Sequence, residues 1–292
     1  MGPPVDSDSL LASLGDLLQR DACAVHPLDE ARYVEAHRAF EQASTQQSRI
    51  RCVIEAEAQR LLREGHDGLD VLSVGCGCGT LDAPLLTHLG AHVDSFVGVD
   101  PNPVALDQCR EALEAGTPPP DYQLECTRIE DVRSDRRYDL IYCSHVFYYV
   151  DAPSAVLDTL RALRRDTGTL VIAHAPKGRL NAFAQAFWPG QGPDDDFYAP
   201  ALRRLLFQNG NAAPVSHKID ARFPRALFDD ATPQGTLLLE FLIQAQWAPL
   251  SAEVKTHVAD YLDQSAGAGS SSPRHLPHPA TTFAIRGTAA GS

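Results

Sequence analysis

Three glycines at alternate positions and an acid downstream are the residues with the clearest chemical potential. Gly75, Gly77 and Gly79 follow an apolar run in VLSVGCGCGTL, and Asp100 ends the next apolar run, SFVGVD. A glycine turn between a strand and a helix lets backbone N–H groups approach a ligand closely, and an acid about 20 residues later accepts ribose hydroxyls. The spacing therefore predicts a site for a nucleoside-containing cofactor.

The spacing of the glycines distinguishes between turns that bind two types of cofactor. A dinucleotide-binding turn reads G-x-G-x-x-G, whereas this turn reads G-x-G-x-G and has Thr80 at the third position of the dinucleotide pattern. With its flanking strands and the acid, the stretch from about 69 to 175 resembles the class I S-adenosylmethionine-dependent methyltransferases. The resemblance implies S-adenosylmethionine as the cofactor.

The same resemblance implies which residues contact that cofactor. The glycines would approach its methionine and ribose, and Asp100 would accept hydrogen bonds from both ribose hydroxyls. Two acids after the predicted strand YQLECTRI would contact the adenine, and the end of the fourth strand would line the site. The expected cofactor-binding residues are Gly75, Gly77, Gly79, Asp100, Pro101, Glu130, Asp131 and Ser144.

A narrower resemblance extends outside this core. The stretches RYVEAHRAFEQASTQQ (32–47), FYYV (147–150) and GTLLLEFLIQ (235–244) are similar to parts of the histamine N-methyltransferase family. That resemblance implies that an amino-terminal helical segment and a region above the sheet enclose a small aromatic amine. The substrate-binding residues expected from it are Tyr33, Gln46, His145, Tyr148, Tyr149, Phe183, Trp188 and Phe241.

Two departures from that family concern the acceptor. Gln46 stands where the family has an acid that pairs with the substrate ammonium, and His145 stands where it has a glutamine. An amide supplies no counter-charge, so we do not expect histamine itself to be a good acceptor. The family's asparagine before the last strand is also absent, the nearest positions being His278 and Pro279.

His145 is the expected catalytic residue. It lies at the carboxyl end of the fourth predicted strand, where open parallel sheets bind ligands, and a neutral imidazole can accept or donate a proton. A structural histidine is the alternative. Tyr148 and Tyr149 could face a sulfonium through cation–π attraction or simply pack, and the other aromatic candidates could equally be core. Cys76 and Cys78 fit the turn as small residues, so no metal site is expected.

The two resemblances together imply a methyltransferase that acts on a small molecule. Direct displacement at a sulfonium mainly requires that the reactants be held in line. An imidazole-like nitrogen is mostly neutral at pH 7 and needs no base, whereas an alkyl amine or a phenol must be deprotonated. N-methylation of an aromatic nitrogen is therefore the leading interpretation. A small-molecule O-methyltransferase and a non-catalytic S-adenosylmethionine-binding protein are the alternatives.

The elements around the site predict an α/β fold. Four short apolar runs, at 69–75, 95–100, 139–146 and 168–175, alternate with helical stretches at 81–89, 105–115 and 152–165. This alternation is typical of a parallel sheet covered on both faces. We expect a Rossmann-like, seven-stranded class I methyltransferase sheet with an amino-terminal helical segment and a smaller substrate-binding region.

Further helices, a loop and a strand are predicted outside this core. Apolar spacing predicts helices at 10–18, 29–63 with a break near Ser44-Thr45, 199–209 and 236–247, then a loop at 264–281 and a strand at 282–286. The expected segments are 1–67, the helical segment; 68–178, the cofactor-binding core; 179–281, the substrate region with remaining core elements; and 282–292, the terminal strand and tail.

Composition narrows the class of partner. Of the 292 residues 44% are hydrophobic and the formal net charge is −13, so neither nucleic acid nor a membrane surface is an expected partner. No apolar run has the length of a membrane span and no secretory leader pattern is visible. We expect a cytoplasmic monomer with free thiols that acts on a small-molecule acceptor.

Overall fold

The computed structural model describes residues 7–20, 25–119, 121–132, 135–188, 198–207, 213–267 and 274–287, with the backbone alone at 7–8 and 183–184. Its helices are α1 (Ser7–Arg20), α2 (Glu30–Ala43), α3 (Gln46–Arg63), α4 (Asp82–Leu89), α5 (Pro103–Glu114), α6 (Pro153–Leu163), α7 (Arg179–Phe187), α8 (Ala199–Phe207), α9 (Pro233–Ile243) and α10 (Ala252–Ser265). Its strands are β1 (Leu69–Val74), β2 (Val93–Asp100), β3 (Asp121–Cys126), β4 (Tyr138–Ser144), β5 (Arg164–His174), β6 (Val215–Ile219), β7 (Arg222–Pro224), β8 (His275–Pro277) and β9 (Ala280–Arg286).

The chain forms two compact units. The larger comprises residues 46–176, 193–219 and 280–292, and the smaller comprises 1–45, 177–192 and 220–279. The break between α2 and α3 at Ser44-Thr45 is confirmed. Helix α3 belongs to the larger unit, whereas we expected residues 1–67 to form one segment. The composition of 189–196 also predicts a Gly/Pro/Asp loop, and these residues lie outside the described part of the chain.

A seven-stranded sheet forms the larger unit, as expected. Its strand order is β3-β2-β1-β4-β5-β9-β6. Strands β1 to β5 run parallel, and β9 is antiparallel to both of its neighbours. Val71 and Leu72 point to opposite faces, and both are buried, so protein covers the two faces of the sheet. The carboxyl ends of β1, β2 and β4 therefore meet at one edge, where the glycine turn begins.

Several boundaries differ from expectation. Helix α6 ends at Leu163, not Arg165, because Arg164 already pairs with Tyr138 at the start of β5. Part of the predicted loop at 264–281 is ordered strand, since Leu276 of β8 is fully buried and pairs with Phe223 of β7. Helix α10 and the short strands β6 to β8 were not predicted.

The smaller unit has its own hydrophobic core. Helices α1 and α10 pack together, as do α2 and α9. The N-cap of α2 is Asp29, whose carboxylate accepts a hydrogen bond from the Arg32 backbone N–H at 2.8 Å, and this satisfies one exposed donor of the helix. A buried carboxylate, Glu240 of α9, pairs with the Arg32 guanidinium at 2.6 Å and accepts from the Trp247 backbone N–H. These contacts tie the carboxyl-terminal part of α9 to α2 and to the segment that follows α9.

His278 is half-buried in this unit, where its ring is neutral. Its imidazole stacks on Phe223 at 4.7 Å between centroids and meets the edge of Phe40 at 5.2 Å. Its Nδ1 lies 2.8 Å from the Ser44 hydroxyl. Burial lowers the pKa of His278 to about 3, because the apolar surroundings disfavour the charged form.

Stability is therefore expected to depend on pH. The folded pKa of His278 lies below the unfolded value, so its contribution is complete above about pH 6.5 and declines as the pH falls toward 3. At pH 5 the loss reaches at most about 2 kcal/mol in the free energy of unfolding. Urea unfolding at pH 7 and pH 5 measures this loss. His278→Asn, which keeps an atom near Nδ1, should reduce it, and an unchanged pH dependence in that variant would contradict the assignment.

Candidate functional site

The glycine turn connects β1 to α4 in a conformation that requires glycine. Gly75, Gly77 and Gly79 all have positive φ, at 68°, 52° and 72°, a region that side chains disfavour. A Cβ at Gly75 would lie 2.5 Å from Val146, and one at Gly79 would lie 2.9 Å from the Cys109 sulfur. A Cβ at Gly77 would meet nothing within 4 Å. The turn thus presents bare backbone toward open space at Gly77, as a cradle for a ligand does.

Asp100 lies at the end of β2 beside this turn. One carboxylate oxygen accepts from the Gly77 backbone N–H at 3.0 Å, and the other accepts from the Asn102 backbone N–H at 2.9 Å. Each oxygen has more than one acceptor site, so both can also receive a ribose hydroxyl. Asn102 caps α5 through its side chain, and Pro101 is exposed between them. The predicted turn and acid are therefore brought together by a direct hydrogen bond.

The two predicted adenine contacts lie in a short turn after β3. Glu130 is half-buried and Asp131 is exposed. Arg128 donates to the Glu130 carboxylate at 3.0 Å and to Asp151 at 3.2 Å, and it also reaches the Tyr149 carbonyl. Burial alone would raise the pKa of Glu130, but the hydrogen bond from Arg128, backbone hydrogen bonds and the positive charge of Arg128 together outweigh burial and lower the pKa. Arg128 thus links the segments that follow β3 and β4, a role that sequence reasoning missed.

The end of β4 packs on the glycine turn and carries two unusual features. The Ser144 hydroxyl is buried and has no hydrogen-bond partner within the described part of the chain. His145 has a left-handed φ of 60°, which is uncommon outside glycine and typical of functional sites. Its backbone N–H donates to the Ala173 carbonyl at 2.9 Å. An orphaned hydroxyl and a bare glycine backbone at one edge of the sheet fit a polar cofactor.

His145 and Gln46, both predicted to contact the acceptor, are hydrogen-bonded to each other. The His145 Nε2 and Gln46 Oε1 atoms are 2.7 Å apart. Gln46 is the first residue of α3 and only 2% exposed. The contact joins residues 99 positions apart, so the sequence alone offered no sign of it. The Gln46 amide oxygen is therefore engaged in a hydrogen bond with His145.

The two tyrosines after His145 differ in exposure. Tyr148 stacks on His174, with centroids 4.1 Å apart, and lies nearly parallel to His145 at 6.0 Å. Its hydroxyl accepts from the Ala175 backbone N–H at 2.7 Å, and burial raises its pKa. Tyr149, in contrast, is 66% exposed. His174 is fully buried at the end of β5 and was not predicted as a neighbour of the site.

Removing the two hydroxyls should have unequal effects on stability. Tyr148→Phe leaves the Ala175 N–H without its acceptor, which costs about 1 to 3 kcal/mol for a buried donor. Tyr149→Phe removes a hydroxyl from an exposed ring, so we expect a change within about 0.5 kcal/mol. Chemical denaturation of the two variants provides the comparison. Equal stabilities would show that the Tyr148 hydroxyl does not anchor the end of β5.

The remaining aromatic candidates belong to the smaller unit. The ring centroids of Tyr33 and Phe241 are 5.9 Å apart. His37, which was not predicted, contacts both rings, at 5.9 Å from Tyr33 and 5.0 Å from Phe241. The Trp188 ring N–H donates to the Ile243 carbonyl at 3.1 Å, so its polar edge is already satisfied. The side chain of Phe183 lies outside the described residues. Tyr33 and Phe241 are thus brought together, and Trp188 is anchored to α9.

Three further properties concern only the described part of the chain. There, no three His, Cys, Asp or Glu side chains are grouped so as to hold a metal ion. None of the described helices combines the length and apolar character needed to cross a membrane. The six described cysteines are free thiols.

Residues 46–208, more than half of the chain, match the family model described as a methyltransferase domain. Ubiquinone biosynthesis O-methyltransferases from Rhodopseudomonas palustris (strain HaA2) and Bradyrhizobium sp. (strain ORS 278) are 32% and 34% identical over 106 residues. The match covers 36% of this chain and 40% of each relative, so the chain spans less than half the length of these curated relatives.

Solved structures resemble the chain over most of its length. The plantazolicin methyltransferase BpumL, in complex with a monoazolic analogue and SAH, has a TM-score of 0.51 at 11% identity, covering 97% of this chain and 98% of that one. The plantazolicin methyltransferase BamL, also in complex with SAH, has a TM-score of 0.50 at 14% identity, covering 89% and 97%. At these identities the likeness concerns the fold, and it agrees with the expected class I methyltransferase sheet. By the family model that it matches, the chain belongs to the methyltransferase domain family.

Proposed function

We propose that the chain transfers a methyl group from S-adenosylmethionine to a nitrogen of a small, imidazole-like aromatic acceptor. The observation that carries the proposal is the joined turn and acid: Gly77 offers its backbone to open space while its N–H binds Asp100. This arrangement suits a nucleoside whose ribose hydroxyls are received by a carboxylate. The bound cofactor supplies an electrophilic methyl group.

In this proposal the chain's own residues bind and orient. Asp100 receives the ribose hydroxyls, and Glu130, held by Arg128 at 3.0 Å, lies where the adenine is expected. Ser144 offers a buried hydroxyl without a partner in the described chain. Holding the acceptor and the methyl group in line contributes roughly 7 to 11 kcal/mol to such a reaction, so positioning is the main task.

The acceptor side rests on His145 and its neighbours. His145 lies at the carboxyl end of β4, next to Ser144, in a strained backbone conformation. Gln46 brings no negative charge, so a free ammonium at this place would lack a counter-ion, a penalty of several kcal/mol when buried. We therefore propose a neutral heteroaromatic, or an imidazole that also carries a carboxylate, in preference to histamine. The narrower resemblance, to the histamine N-methyltransferase family, is part of the support for this proposal.

A small-molecule O-methyltransferase is the second candidate. It is favoured by the curated relatives, whose printed names describe O-methyltransferases of ubiquinone biosynthesis. A phenol must lose its proton on transfer, and an imidazole is a suitable base for that step. Action as a cytoplasmic monomer, independent of nucleic acid, stays a prediction.

The test is turnover of methyl-labelled S-adenosylmethionine with matched imidazoles, amines and phenols. The N-methylation proposal predicts label in an imidazole, with kcat/KM above that of any phenol. Preference for a phenol would instead support O-methylation. Cofactor binding without label in any class of acceptor would contradict both and support a binding protein.

A further inference from the structure

A buried acid begins the helix that follows the glycine turn. Asp82 is the first residue of α4, three positions after Gly79, and only 1% of it is exposed. Its Oδ1 atom accepts a hydrogen bond from the Tyr142 hydroxyl at 2.6 Å. Tyr142 belongs to β4, and Ser144 of the proposed cofactor site lies two residues further along the same face of that strand. Asp82 is thus connected to the turn through the chain and to β4 through this hydrogen bond.

Two features favour the ionised form of the Asp82 carboxylate and oppose the effect of its burial. The backbone N–H groups in the first turn of a helix stabilise a negative charge, and a hydrogen bond donated to a carboxylate favours its charged form. Burial and the charge of Asp82 raise the pKa of the Tyr142 phenol. That phenol therefore keeps its proton at neutral pH and stays a donor to Asp82.

The negative charge of Asp82 acts on the glycine turn. Cys76 lies between the first two glycines of the turn, and the pKa of its thiol is raised by a hydrogen bond with Cys109, by burial, and also by the negative charges of Asp82 and Asp100. A charge that disfavours a second anion at this place favours a cation there. The turn is also where the methionine portion of the cofactor, with its sulfonium, is proposed to lie.

We propose that Asp82 makes the cofactor site prefer the positively charged sulfonium of S-adenosylmethionine over the neutral thioether of S-adenosylhomocysteine. This inference rests on the proposed placement of the methionine portion along the turn. In the transfer the acceptor forms a bond to the methyl carbon as the carbon–sulfur bond breaks, and the sulfur keeps the electron pair. The acceptor releases its proton to water. The sulfur is then neutral, so its attraction to Asp82 is lost and the spent cofactor is released more readily.

Calorimetric titration with three ligands tests this preference without a methyl acceptor. The ligands are S-adenosylmethionine, S-adenosylhomocysteine and sinefungin, whose amine carries a positive charge in place of the sulfonium. In Asp82→Asn, which keeps the size of the side chain, the affinity for the two charged ligands should fall about fourfold to fifteenfold relative to S-adenosylhomocysteine. This is the change expected for two unit charges about 10 Å apart at a dielectric constant of about 20 to 40.

Three further variants serve as controls. Tyr142→Phe removes the donor that favours the charged carboxylate, and it should move the ratio of affinities in the same direction by a smaller factor. Asp82→Glu keeps the charge and should keep the ratio. Asp107 is an exposed acid on α5, and Asp107→Asn should leave the ratio unchanged although it alters the net charge equally.

The ratio of affinities distinguishes this role from a structural one. Partial unfolding of a variant weakens the binding of every ligand by the same factor, and the contacts of Asp82 within the protein are the same with each ligand, so both cancel in the ratio. An unchanged ratio in Asp82→Asn, or an equal shift in Asp107→Asn, would overturn the inference. Both results are independent of the acceptor, so they differ from a failure of the proposed N-methylation. Failure of the unmodified protein to bind any of the three ligands would overturn the placement of the cofactor as well.

Discussion

Asp100→Ala is expected to weaken S-adenosylmethionine binding by about 100-fold to 10,000-fold. The carboxylate would accept two ribose hydroxyls, and a hydrogen bond to a charged group contributes about 1.5 to 3 kcal/mol. Two such bonds amount to about 3 to 6 kcal/mol, and each 1.4 kcal/mol is a factor of ten in affinity. The loss also frees the Gly77 N–H, which Asp100 binds at 3.0 Å. Calorimetric titration gives the affinity.

A matched control distinguishes the general effect of losing a negative charge from the specific loss of the Asp100 carboxylate. Asp107 is an exposed acid on α5, and Asp107→Ala changes the net charge by the same amount near the same site. We expect its affinity for the cofactor to stay within about twofold of the original protein. Equal affinity for S-adenosylmethionine in Asp100→Ala and Asp107→Ala would contradict the proposed ribose site. Tight binding of NAD would indicate a dinucleotide site instead.

His145→Ala is expected to lower turnover by about 100-fold or more while cofactor affinity is retained. In the proposed reaction the ring, held by Gln46 at 2.7 Å, orients the acceptor, and misplacement of a reactant by about 1 Å costs on the order of 100-fold. For an acceptor that must lose a proton, a positioned general base contributes about 100-fold to 10,000-fold. The glycine turn and Asp100 do not depend on the imidazole, so the cofactor should bind as before. Single-turnover rates with saturating cofactor measure the effect on the chemical step.

The control for this variant is another histidine of the same unit. His217 is exposed on β6, and His217→Ala should keep full turnover. A loss of turnover shared by both variants would indicate a general effect on the fold. Full turnover in His145→Ala would show that the histidine is structural, which is the simpler alternative for an isolated histidine in a sequence.

Much of the larger unit could be predicted because its signals are local. The runs that became β1, β2, β4 and β5 are continuous apolar segments, and a buried parallel strand needs no partner information to be recognised. The glycine turn and Asp100 are close in sequence, and their spacing reflects one strand–helix–strand unit. Residues 236–247 were predicted as a helix from their length, and α9 occupies most of them.

What could not be predicted depends on contacts between distant segments. The Gln46–His145 bond and the stacking of Tyr148 on His174 arise only when α3, β4 and β5 are assembled. Strand β8 has three residues in a region rich in serine, glycine and proline, so its pairing partner, not its own sequence, makes it a strand. Arg128 is an exposed cation whose role comes from two acids on different segments.

A crystal structure of the protein with S-adenosylhomocysteine would test the central claim most directly. We predict the ribose hydroxyls within hydrogen-bond distance of the Asp100 carboxylate, the methionine portion along the backbone of Gly75 to Gly79, and the adenine beside Glu130. The sulfur should face the side on which His145 lies. Binding of the molecule elsewhere, or at the turn with its ribose away from Asp100, would contradict the account.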